Sequence, residues 1–573
     1  MRKRRGAWMG PAMAGVGALA LVAALHSPAS AFSDDARSYV ADAAHATNAA
    51  SAFEREQDRA IRPPAQNLFE KSQDIGTVVH AGATQFVSRV PAYFMNASGD
   101  NIWGTSDALQ FAWKKMSGDV ALTADISFVG KGVNPHRKAV LMIRQSLDAD
   151  SPYVDAALHG SGLLALQYRE TKGGITTEIE TMAPIYKDGL PLVTPPKHDI
   201  HAPQTQPARM RIVNRGGYAY LYIGSGPGMA LEPSGAAIPV PFSGDFYIGI
   251  GLSAHEKDVV EEAVFSNVTL EALAAEDAGD AKPVLYSTLE TVAIDSTIRH
   301  IVAVGSYRFE APNWTRDGVS LMFNADGQLR LLPAAGGELS SGLKSGFANR
   351  INNDHGFSPD GTEIAISDNS QGNHDSLIYI LPSTGGTPKR ITKNSPSYWH
   401  GWSPDGSTLA FVGQRNGDFD IYTIPVTATS STDETRLTTA KGLDDGPEYT
   451  PDGKWIYFNS ERTGRMQIWR MHPDGSAQEQ VTHDEWNNWF PHFSPDGKWM
   501  VMLSYDASVT GHPENKDVQL RLMSMADGKI SVLARMFGGQ GTINVPSWSP
   551  DSKKLAFVSY ELLPAGDSGT PAK

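Results

Sequence analysis

The chain has 573 residues, a formal net charge of −14 at pH 7 and no cysteine. An acidic surface repels phosphate backbones, so the charge argues against a nucleic-acid partner. Without cysteine the chain has neither disulfides nor a lipid-modified cysteine to hold it to a membrane. The length allows two or three domains with full hydrophobic cores.

Residues 1–31 have the three parts of a secretory signal peptide. Basic residues at positions 2–5 precede an apolar run from Ala7 to Leu25, and the small-residue cleavage pattern Ala-Ser-Ala follows at 29–31. A membrane anchor is the alternative, but Pro11 and several glycines interrupt the run. The pattern predicts cleavage before Phe32, a periplasmic or secreted mature protein, and no membrane span after cleavage. The adjacent arginines at 4 and 5 leave a twin-arginine export route open.

Residues 32–64 are alanine-rich with scattered charges, which predicts a helical spacer that Pro63 and Pro64 end. From 65 to 270 the sequence changes to short alternating runs with frequent glycine, as at 140–144 and 218–223. This spacing is typical of an antiparallel β-sandwich. The segments at 99–104, 138–148, 249–255 and 263–268 resemble a concanavalin/laminin-G-like family of secreted domains. Domains of that family often accompany carbohydrate-active enzymes.

One unit recurs six times after a small, acidic linker at 271–284. An aromatic residue followed in most copies by Ser/Thr-Pro-Asp-Gly stands at 314–318, 357–361, 402–406, 449–453, 493–497 and 548–552. The aromatic ring fills the space between neighbouring sheets, and Pro-Asp-Gly makes a tight turn. The copies are 43 to 55 residues apart, which is the length of a four-stranded propeller blade.

The repeat resembles that of the TolB/Tol-biopolymer-transport propellers across residues 285–560. The last copy ends after two strands, whereas two strand-like runs at 284–294 and 298–304 precede the first copy. We expect these early runs to complete the sixth blade, which hides sheet edges and closes the ring. The sequence thus predicts an all-β chain, with an N-terminal antiparallel β-sandwich, a six-bladed β-propeller over 285–563 and a disordered tail at 564–573.

Candidate catalytic residues stand four and three positions before the turn proline, where we expect the loop entering the innermost strand to form the channel mouth. Two adjacent blades carry His-Gly at these positions, and the others carry different pairs. The blade register places His355, His400 and His492 in one ring with Glu448. The three imidazoles could hold a divalent metal ion, or the ring could supply an acid and a base. They could equally hydrogen-bond loop carbonyls at a polar channel mouth.

The adjoining segments are rich in aromatic and amide side chains for solvent-facing loops. Candidate substrate-binding residues are Trp399, Asp445, Asn488, Trp489, Gln540 and Asn544, with Asp354 and Asp444 as further oxygen donors. Flat aromatic faces suit sugar rings, but they also suit a protein interface, and packing between blades is a third interpretation. A longer connection at 506–516 in the fifth blade is predicted to open on the same face, as a lid, a wall or an inert insertion.

Two functions follow as hypotheses. The first is a periplasmic protein that binds or processes an oligo- or polysaccharide at the channel mouth; as an enzyme it would be a glycan lyase or a glycoside hydrolase. Metal-dependent oligogalacturonate lyases are propellers with such a channel, which is analogy at the level of the fold. The alternative is a TolB-like protein–protein interaction scaffold of the cell envelope without catalysis. TolB itself has a helix-rich N-terminal domain, so its role in the Tol system is not transferred.

Overall fold

The computed structural model describes residues 66–181, 208–274 and 282–564, except for 225, 241, 338, 372–374 and 416, and the backbone of two short strands between the first two ranges. The predicted signal peptide, the helical spacer and residues 565–573 of the predicted tail lie outside the described residues. The described part is all-β apart from a short 3-10 helix at Ser431–Asp433. Across these ranges no helix has the length and apolarity needed to cross a membrane.

The N-terminal region contains the first eighteen strands. They are β1 (Lys71–Ile75), β2 (Ala83–Val87), β3 (Ala92–Gly99), β4 (Ile102–Trp103), β5 (Ser106–Asp107), β6 (Leu109–Ser117), β7 (Val120–Val129), β8 (Lys138–Arg144), β9 (Tyr153–His159), β10 (Leu164–Arg169), β11 (Thr177–Thr181), β12 (Ile185–Lys187), β13 (Leu190–Leu192), β14 (Ala208–Arg215), β15 (Tyr218–Gly224), β16 (Leu231–Pro239), β17 (Asp245–Ser253) and β18 (Glu256–Ala272).

Most of these strands belong to two large sheets. Seven pair in the order β16-β15-β14-β7-β18-β3-β2, and β1-β6-β17-β8-β9-β10-β11 form most of a ten-stranded sheet. Buried side chains of both sheets, among them Ile126, Leu141, Ile250 and Phe265, share one hydrophobic cluster. The alternation along the strands is what allows each sheet to turn its apolar side to this core. The assignment of this region to the concanavalin/laminin-G type stays a prediction.

The propeller region contains the remaining strands. They are β19 (Val284–Ala293), β20 (Arg299–Gly305), β21 (Phe309–Trp314), β22 (Ser320–Ala325), β23 (Gln328–Pro333), β24 (Ile351–Phe357), β25 (Glu363–Asp368), β26 (Leu377–Pro382), β27 (Lys389–Arg390), β28 (Ser397–Trp402), β29 (Thr408–Arg415), β30 (Asp418–Pro425), β31 (Thr435–Arg436), β32 (Asp444–Tyr449), β33 (Ile456–Ser460), β34 (Gln467–Met471), β35 (Glu479–Gln480), β36 (Asn487–Phe493), β37 (Trp499–Tyr505), β38 (Glu514–Ser524), β39 (Ile530–Gly539) and β40 (Lys554–Leu563).

Five blades, not the predicted six, are separate sheets. The first is β21-β22-β23, and four further blades of four strands each run through β24–β27, β28–β31, β32–β35 and β36–β39. The strands assigned to a sixth blade do pair as predicted, with β19 beside β40 and β20 beside β19. They are not a free blade, because β20 also pairs in parallel with β11. Their sheet therefore continues into the N-terminal region as the ten-stranded sheet.

The Pro-Asp-Gly turns have the geometry that the sequence predicts. At the second blade the Oδ1 of Asp360 accepts hydrogen bonds from the Ser358 hydroxyl at 2.6 Å and from the Thr362 backbone N–H at 3.0 Å. Gly361 has φ of +75°, in the left-handed region that glycine adopts without strain. The repeat therefore fixes where each innermost strand ends and where the next strand begins.

Candidate functional site

A β-bulge interrupts the innermost strand of each of the five separate blades at an equivalent point. The register shifts between Glu310 and Asn313, Ile351 and His355, Trp399 and Gly401, Asp445 and Glu448, and Trp489 and His492. A bulge bends the strand and re-aims the side chains around it. The sequence predicted that the candidate residues lie in the loops that enter the innermost strands. In the second to fifth blades they lie within these strands instead, in β24, β28, β32 and β36.

The two blades with the His-Gly pair, the second and third, have a different bulge from the first, fourth and fifth blades. Ala311, Gly446 and Phe490, each followed by proline, have φ of +55°, +60° and +54°. The equivalent residues before His355 and His400 are not among the residues with positive φ. The left-handed conformation is unfavourable for residues with a β-carbon. The backbone is therefore strained at Ala311 and Phe490 of the first and fifth blades, but not at the equivalent positions of the two His-Gly blades.

Seven side chains from these bulges and nearby loops form what we call the polar cluster. It consists of Glu310, Asp354, His400, Asp445, His512, Gln540 and Asn544. Glu310, His512 and Gln540 are partly exposed, whereas the others are buried. The polar cluster draws on every separate blade and on the loop after β39, so only the closed ring can assemble it.

Asp445 is the centre of the polar cluster. Its Oδ1 lies 3.1 Å from Nε2 of His400, and its Oδ2 lies 3.6 Å from Nε2 of His512. Burial would raise the pKa of Asp445, but the hydrogen bond and positive charge of His400, with the charge of His512, lower it overall. Burial alone would lower the pKa of His400, and the hydrogen bond to Asp445 with the charge of Asp354 raises it instead. The pair therefore favours an ionised carboxylate beside a protonated imidazole.

Amide groups continue the polar cluster beyond His512. Nδ1 of His512 contacts Oε1 of Gln540, and the same oxygen accepts a hydrogen bond from Nδ2 of Asn544 at 3.2 Å. Oδ1 of Asn544 accepts a hydrogen bond from the Gly541 backbone N–H at 2.7 Å. Gln540 and Asn544, which the sequence predicted as substrate-binding residues, therefore lie in one network with Asp445.

Two further carboxyl groups of the polar cluster are held partly protonated near neutral pH. Burial raises the pKa of Asp354 to about 6, with the charge of His400 opposing the rise. Burial also raises the pKa of Glu310 to about 7, against the attraction of Arg308. The sequence analysis did not predict Glu310, because it compared only the residues three and four positions before the turn proline of each repeat. Two positions farther upstream the same register gives Glu310, Asp445 and Asn544 in the first, fourth and sixth copies.

His492 and Glu448 form a pair of their own. Nδ1 of His492 lies 2.5 Å from Oε2 of Glu448, and Nε2 lies 2.6 Å from the carbonyl oxygen of Ile543. A carbonyl oxygen only accepts, so Nε2 must carry a proton and donate. The other carboxylate oxygen of Glu448 accepts from the Phe493 backbone N–H at 3.0 Å. Both residues are thus engaged in contacts that join β32, β36 and the segment after β39.

The structure does not bring the three predicted metal-ligand histidines together as a ligand set. The described residues contain no group of three or more His, Asp or Glu side chains that could hold a metal ion. His492 uses its nitrogens on Glu448 and Ile543, and Nε2 of His400 faces Asp445. His355 is fully buried, and neither of its ring nitrogens has a hydrogen bond of good geometry. Equivalent positions in the blade repeat therefore do not bring the three imidazoles together around one metal ion.

The predicted stacking residues are parts of the hydrophobic cores. Trp399 and Trp489 are each 1% exposed, and Asn488 is fully buried. Asn488 accepts from the Ser504 hydroxyl at 2.7 Å and from Arg521 at 3.1 Å. The two tryptophans fill space between blades, which was the packing interpretation of the sequence, so neither offers a ring face to a sugar.

His355 predicts a specific acid sensitivity. Burial lowers the pKa of His355 to about 4, with main-chain groups of Asn352 and Ala311 opposing the shift. A histidine whose pKa is lower in the folded chain than in the unfolded chain leaves the free energy of unfolding at its full value above the unfolded pKa. The free energy of unfolding then decreases as the pH falls towards 4. At pH 4.5 the loss is about 2–3 kcal/mol, since each pKa unit corresponds to about 1.4 kcal/mol. Urea denaturation of wild type and His355→Met at pH 8 and pH 4.5 measures it, and the variant should lose less stability by this amount.

His483, an exposed histidine of the same propeller, provides the control for this measurement. His483→Met should follow the wild-type pH profile. Parallel profiles of wild type and His355→Met would contradict the assignment of a neutral, buried imidazole to position 355.

Comparisons with known proteins concern about half of the chain. A family model of the TolB beta propeller domain matches residues 398–534. An uncharacterized protein of Agrobacterium fabrum is 50% identical over 276 residues, which are 48% of this chain and 93% of that protein. The structure of a putative TolB from Agrobacterium tumefaciens is 48% identical, covers 49% of this chain and 99% of that chain, and has a TM-score of 0.47.

A more distant likeness is to TolB from Acinetobacter baumannii, at 17% identity over 55% of this chain and 76% of that chain, with a TM-score of 0.34. That likeness is too low to support an argument. The Agrobacterium fabrum protein is matched over 93% of its length at 50% identity. The chain therefore belongs to the same family as that protein, and its residues 398–534 carry a TolB beta propeller domain.

Proposed function

We propose that this chain is exported to the periplasm and that its TolB-like propeller binds a protein partner of the cell envelope through the polar cluster. The signal-peptide pattern of residues 1–31 supports export. The observation that carries the binding proposal is the convergence of Asp445, His512 and Gln540 in one partly exposed network. A network of this kind orients acceptors for hydrogen bonds without needing a bound metal.

The chemistry of the polar cluster favours a partner segment that donates hydrogen bonds. Carboxylates of three blades contribute to it, through Glu310, Asp354 and Asp445. The charge of Asp354 acts on both Glu310 and His400, so the first, second and third blades share one electrostatic environment. A lysine, arginine or backbone amide of a partner would find acceptors here, and partly desolvated charge pairs are often the residues that dominate the energy of an interface.

Site-directed photocrosslinking tests this proposal in cells. A photoreactive amino acid at position 540 should form a discrete adduct with one envelope protein, and the additional change Asp445→Asn should reduce that adduct at least tenfold. Glu479→Gln, on the exposed outer strand of the fourth blade, is the matched control and should leave the adduct unchanged. Absence of any discrete adduct, or an adduct indifferent to Asp445→Asn, would count against a partner at the polar cluster.

A second candidate function is carbohydrate cleavage at the same place, and one observation favours it. The pKa of Asp354 is raised to about 6 while that of Asp445 is lowered, and both carboxyl groups interact with His400. Two carboxyl groups with pKa values pushed apart are the arrangement that supplies a general acid and an ionised carboxylate in glycan hydrolysis.

The same Asp445→Asn protein, together with Asp354→Asn, separates the two candidates. If cleavage is the function, purified wild-type protein releases new reducing ends from a panel of neutral and uronate polysaccharides, and either variant loses at least a hundredfold in rate. If wild type releases no reducing ends while the crosslinked adduct forms, binding of a protein partner is the function.

A further inference from the structure

A cleft with a volume of about 250 Å³ lies where the ten-stranded sheet passes from the propeller into the N-terminal region. We call it the junction cleft, and its lining includes Glu180, Thr291, His300, Val302, Ala334 and Lys554. Glu180 belongs to β11 of the N-terminal region, Ala334 follows β23 of the first blade, and the other four residues stand on β19, β20 and β40. Three parts of the fold therefore meet around one cavity, which shares no residue with the polar cluster.

Strand pairing brings the polar residues of the junction cleft side by side. Glu180 on β11 lies opposite His300 on β20, and His300 lies opposite Thr291 on β19. Residues opposite each other in paired strands share a face of the sheet. Lys554 begins β40, which pairs with β19 on its other side. The carboxylate of Glu180 and the ammonium group of Lys554 therefore approach the cleft from opposite sides.

The junction cleft is open to solvent at its rim and apolar at its base. His300 and Lys554 are exposed, and Glu180 and Ala334 are partly exposed. Val302, in contrast, is buried and belongs to a hydrophobic cluster that the first blade shares with the last propeller sheet. A ligand can thus enter from the exposed rim and place an apolar group at the base.

The charged groups at the rim leave one cation without a partner. The carboxylate of Glu180 is already paired, because its Oε2 lies 2.7 Å from Nδ1 of His300. Within the described residues no carboxylate forms an ion pair with the ammonium group of Lys554. The charge of Lys554 acts on Asp551, but Oδ1 of that residue accepts a hydrogen bond from the Ser549 hydroxyl at 2.6 Å. Lys554 is therefore the charge that remains for a ligand.

We propose that the junction cleft binds a small apolar monocarboxylate, such as an aromatic acid of the size of phenylacetate. The carboxylate of the ligand pairs with Lys554 at the rim, and its apolar body lies against Val302 and Ala334. An apolar cavity of about 150 Å³ is large enough to bind benzene. The junction cleft, at about 250 Å³, therefore has room for a ring of that size with a short acidic arm.

Other classes of ligand match the junction cleft less well. An organic cation would meet the unpaired ammonium group of Lys554, while Glu180, the one carboxylate of the lining, is held by His300. A sugar would bury hydroxyl groups against Val302 and Ala334, whose side chains offer no hydrogen bond. A metal ion is disfavoured because the described residues hold no group of three or more suitable ligands.

Ligand-observed NMR titration of the full mature chain with benzoate, phenylacetate and 3-methylbutanoate tests the proposal. We expect at least one of these acids to bind, and its neutral amide to bind at least tenfold more weakly. Lys554→Gln changes an exposed residue, so the variant should fold; it should weaken binding of the acid at least tenfold and leave binding of the amide unchanged. Ala334→Phe takes up space at the base of the cleft and should weaken binding of the acid and the amide alike.

Two control variants locate the effect. Lys553→Gln removes a neighbouring exposed lysine that does not line the cleft, and Asp445→Asn alters the polar cluster; both should bind the acid like wild type. Thermal unfolding midpoints check folding, and the acid should raise the midpoint of wild type more than that of Lys554→Gln.

Three results would overturn the proposal. The first is that none of the three acids binds wild type at millimolar concentration, and the second is that the amide binds as tightly as the acid. The third is that Lys554→Gln or Ala334→Phe binds the acid like wild type, or that a control variant loses as much binding as Lys554→Gln, because the ligand would then lie elsewhere on the molecule.

Discussion

Replacing Trp399 by alanine should destabilise the propeller by about 3–5 kcal/mol, the usual cost of removing a large buried aromatic side chain. The side chain is 1% exposed and belongs to the core between the second and third blades. Its ring lies so close to Gly356 that a β-carbon there would be 2.3 Å from its Cη2 atom. Gly356 has no side chain with which to fill the space that the ring leaves. The free energy of unfolding from urea denaturation, followed by tryptophan fluorescence and circular dichroism, measures the effect.

Trp486 supplies the matched control. It is a partly exposed tryptophan at the start of the fifth blade, so Trp486→Ala should cost about 1 kcal/mol or less because little buried area is lost. A Trp399→Ala protein as stable as Trp486→Ala would mean that Trp399 is free to swing outwards. The sugar-stacking role that the sequence allowed for Trp399 would then return.

Replacing Asp107 by asparagine should cost about 3–5 kcal/mol, the range seen when one partner of a buried ion pair is removed. The two carboxylate oxygens of Asp107 receive Nη1 and Nη2 of Arg169 at 2.9 and 2.7 Å, in a two-pronged contact. Nη2 of Arg144 approaches the same carboxylate at 3.4 Å, and all three side chains are inaccessible to solvent. An amide cannot accept at both positions, so two buried guanidinium groups would lose their counter-charge. Urea denaturation of the N-terminal region measures the loss.

Asp148 is the control for this second measurement. It pairs with Lys172 at 2.6 Å, but both side chains are about 60% exposed, and water and salt screen such surface pairs so that they contribute little to stability. Asp148→Asn should therefore leave the free energy of unfolding close to that of wild type. Equal effects of Asp107→Asn and Asp148→Asn would contradict a buried ion network.

Much of the propeller could be predicted from its repeat. The unit from the aromatic residue to Pro-Asp-Gly is local, since the turn depends on Asp360 and Gly361 bonding within a few residues. Pairing of the first and last propeller strands also followed from counting strands in the repeat. The number of separate blades did not follow, because the parallel pairing of β11 with β20 joins segments more than a hundred residues apart. No local pattern records that contact.

The candidate site was predicted less completely. The repeat register found His400, Asp445, Gln540 and Asn544, which the structure joins through His512. It could not tell that Trp399 and Trp489 turn inward, because a strand with a bulge no longer alternates between its faces. It also could not tell that the imidazole of His492 contacts Glu448 and Ile543, whereas that of His355 is buried without a hydrogen bond of good geometry.

The sequence by itself determined the all-β character, the propeller repeat and the positions along the chain from which polar side chains could meet, since these depend on turns and alternation over fewer than ten residues. Only the tertiary structure decided which of those side chains meet, which are buried, and how the last propeller sheet joins the N-terminal region. Long-range pairing and β-bulges set these outcomes, and both depend on the balance of packing and hydrogen bonding over the whole molecule.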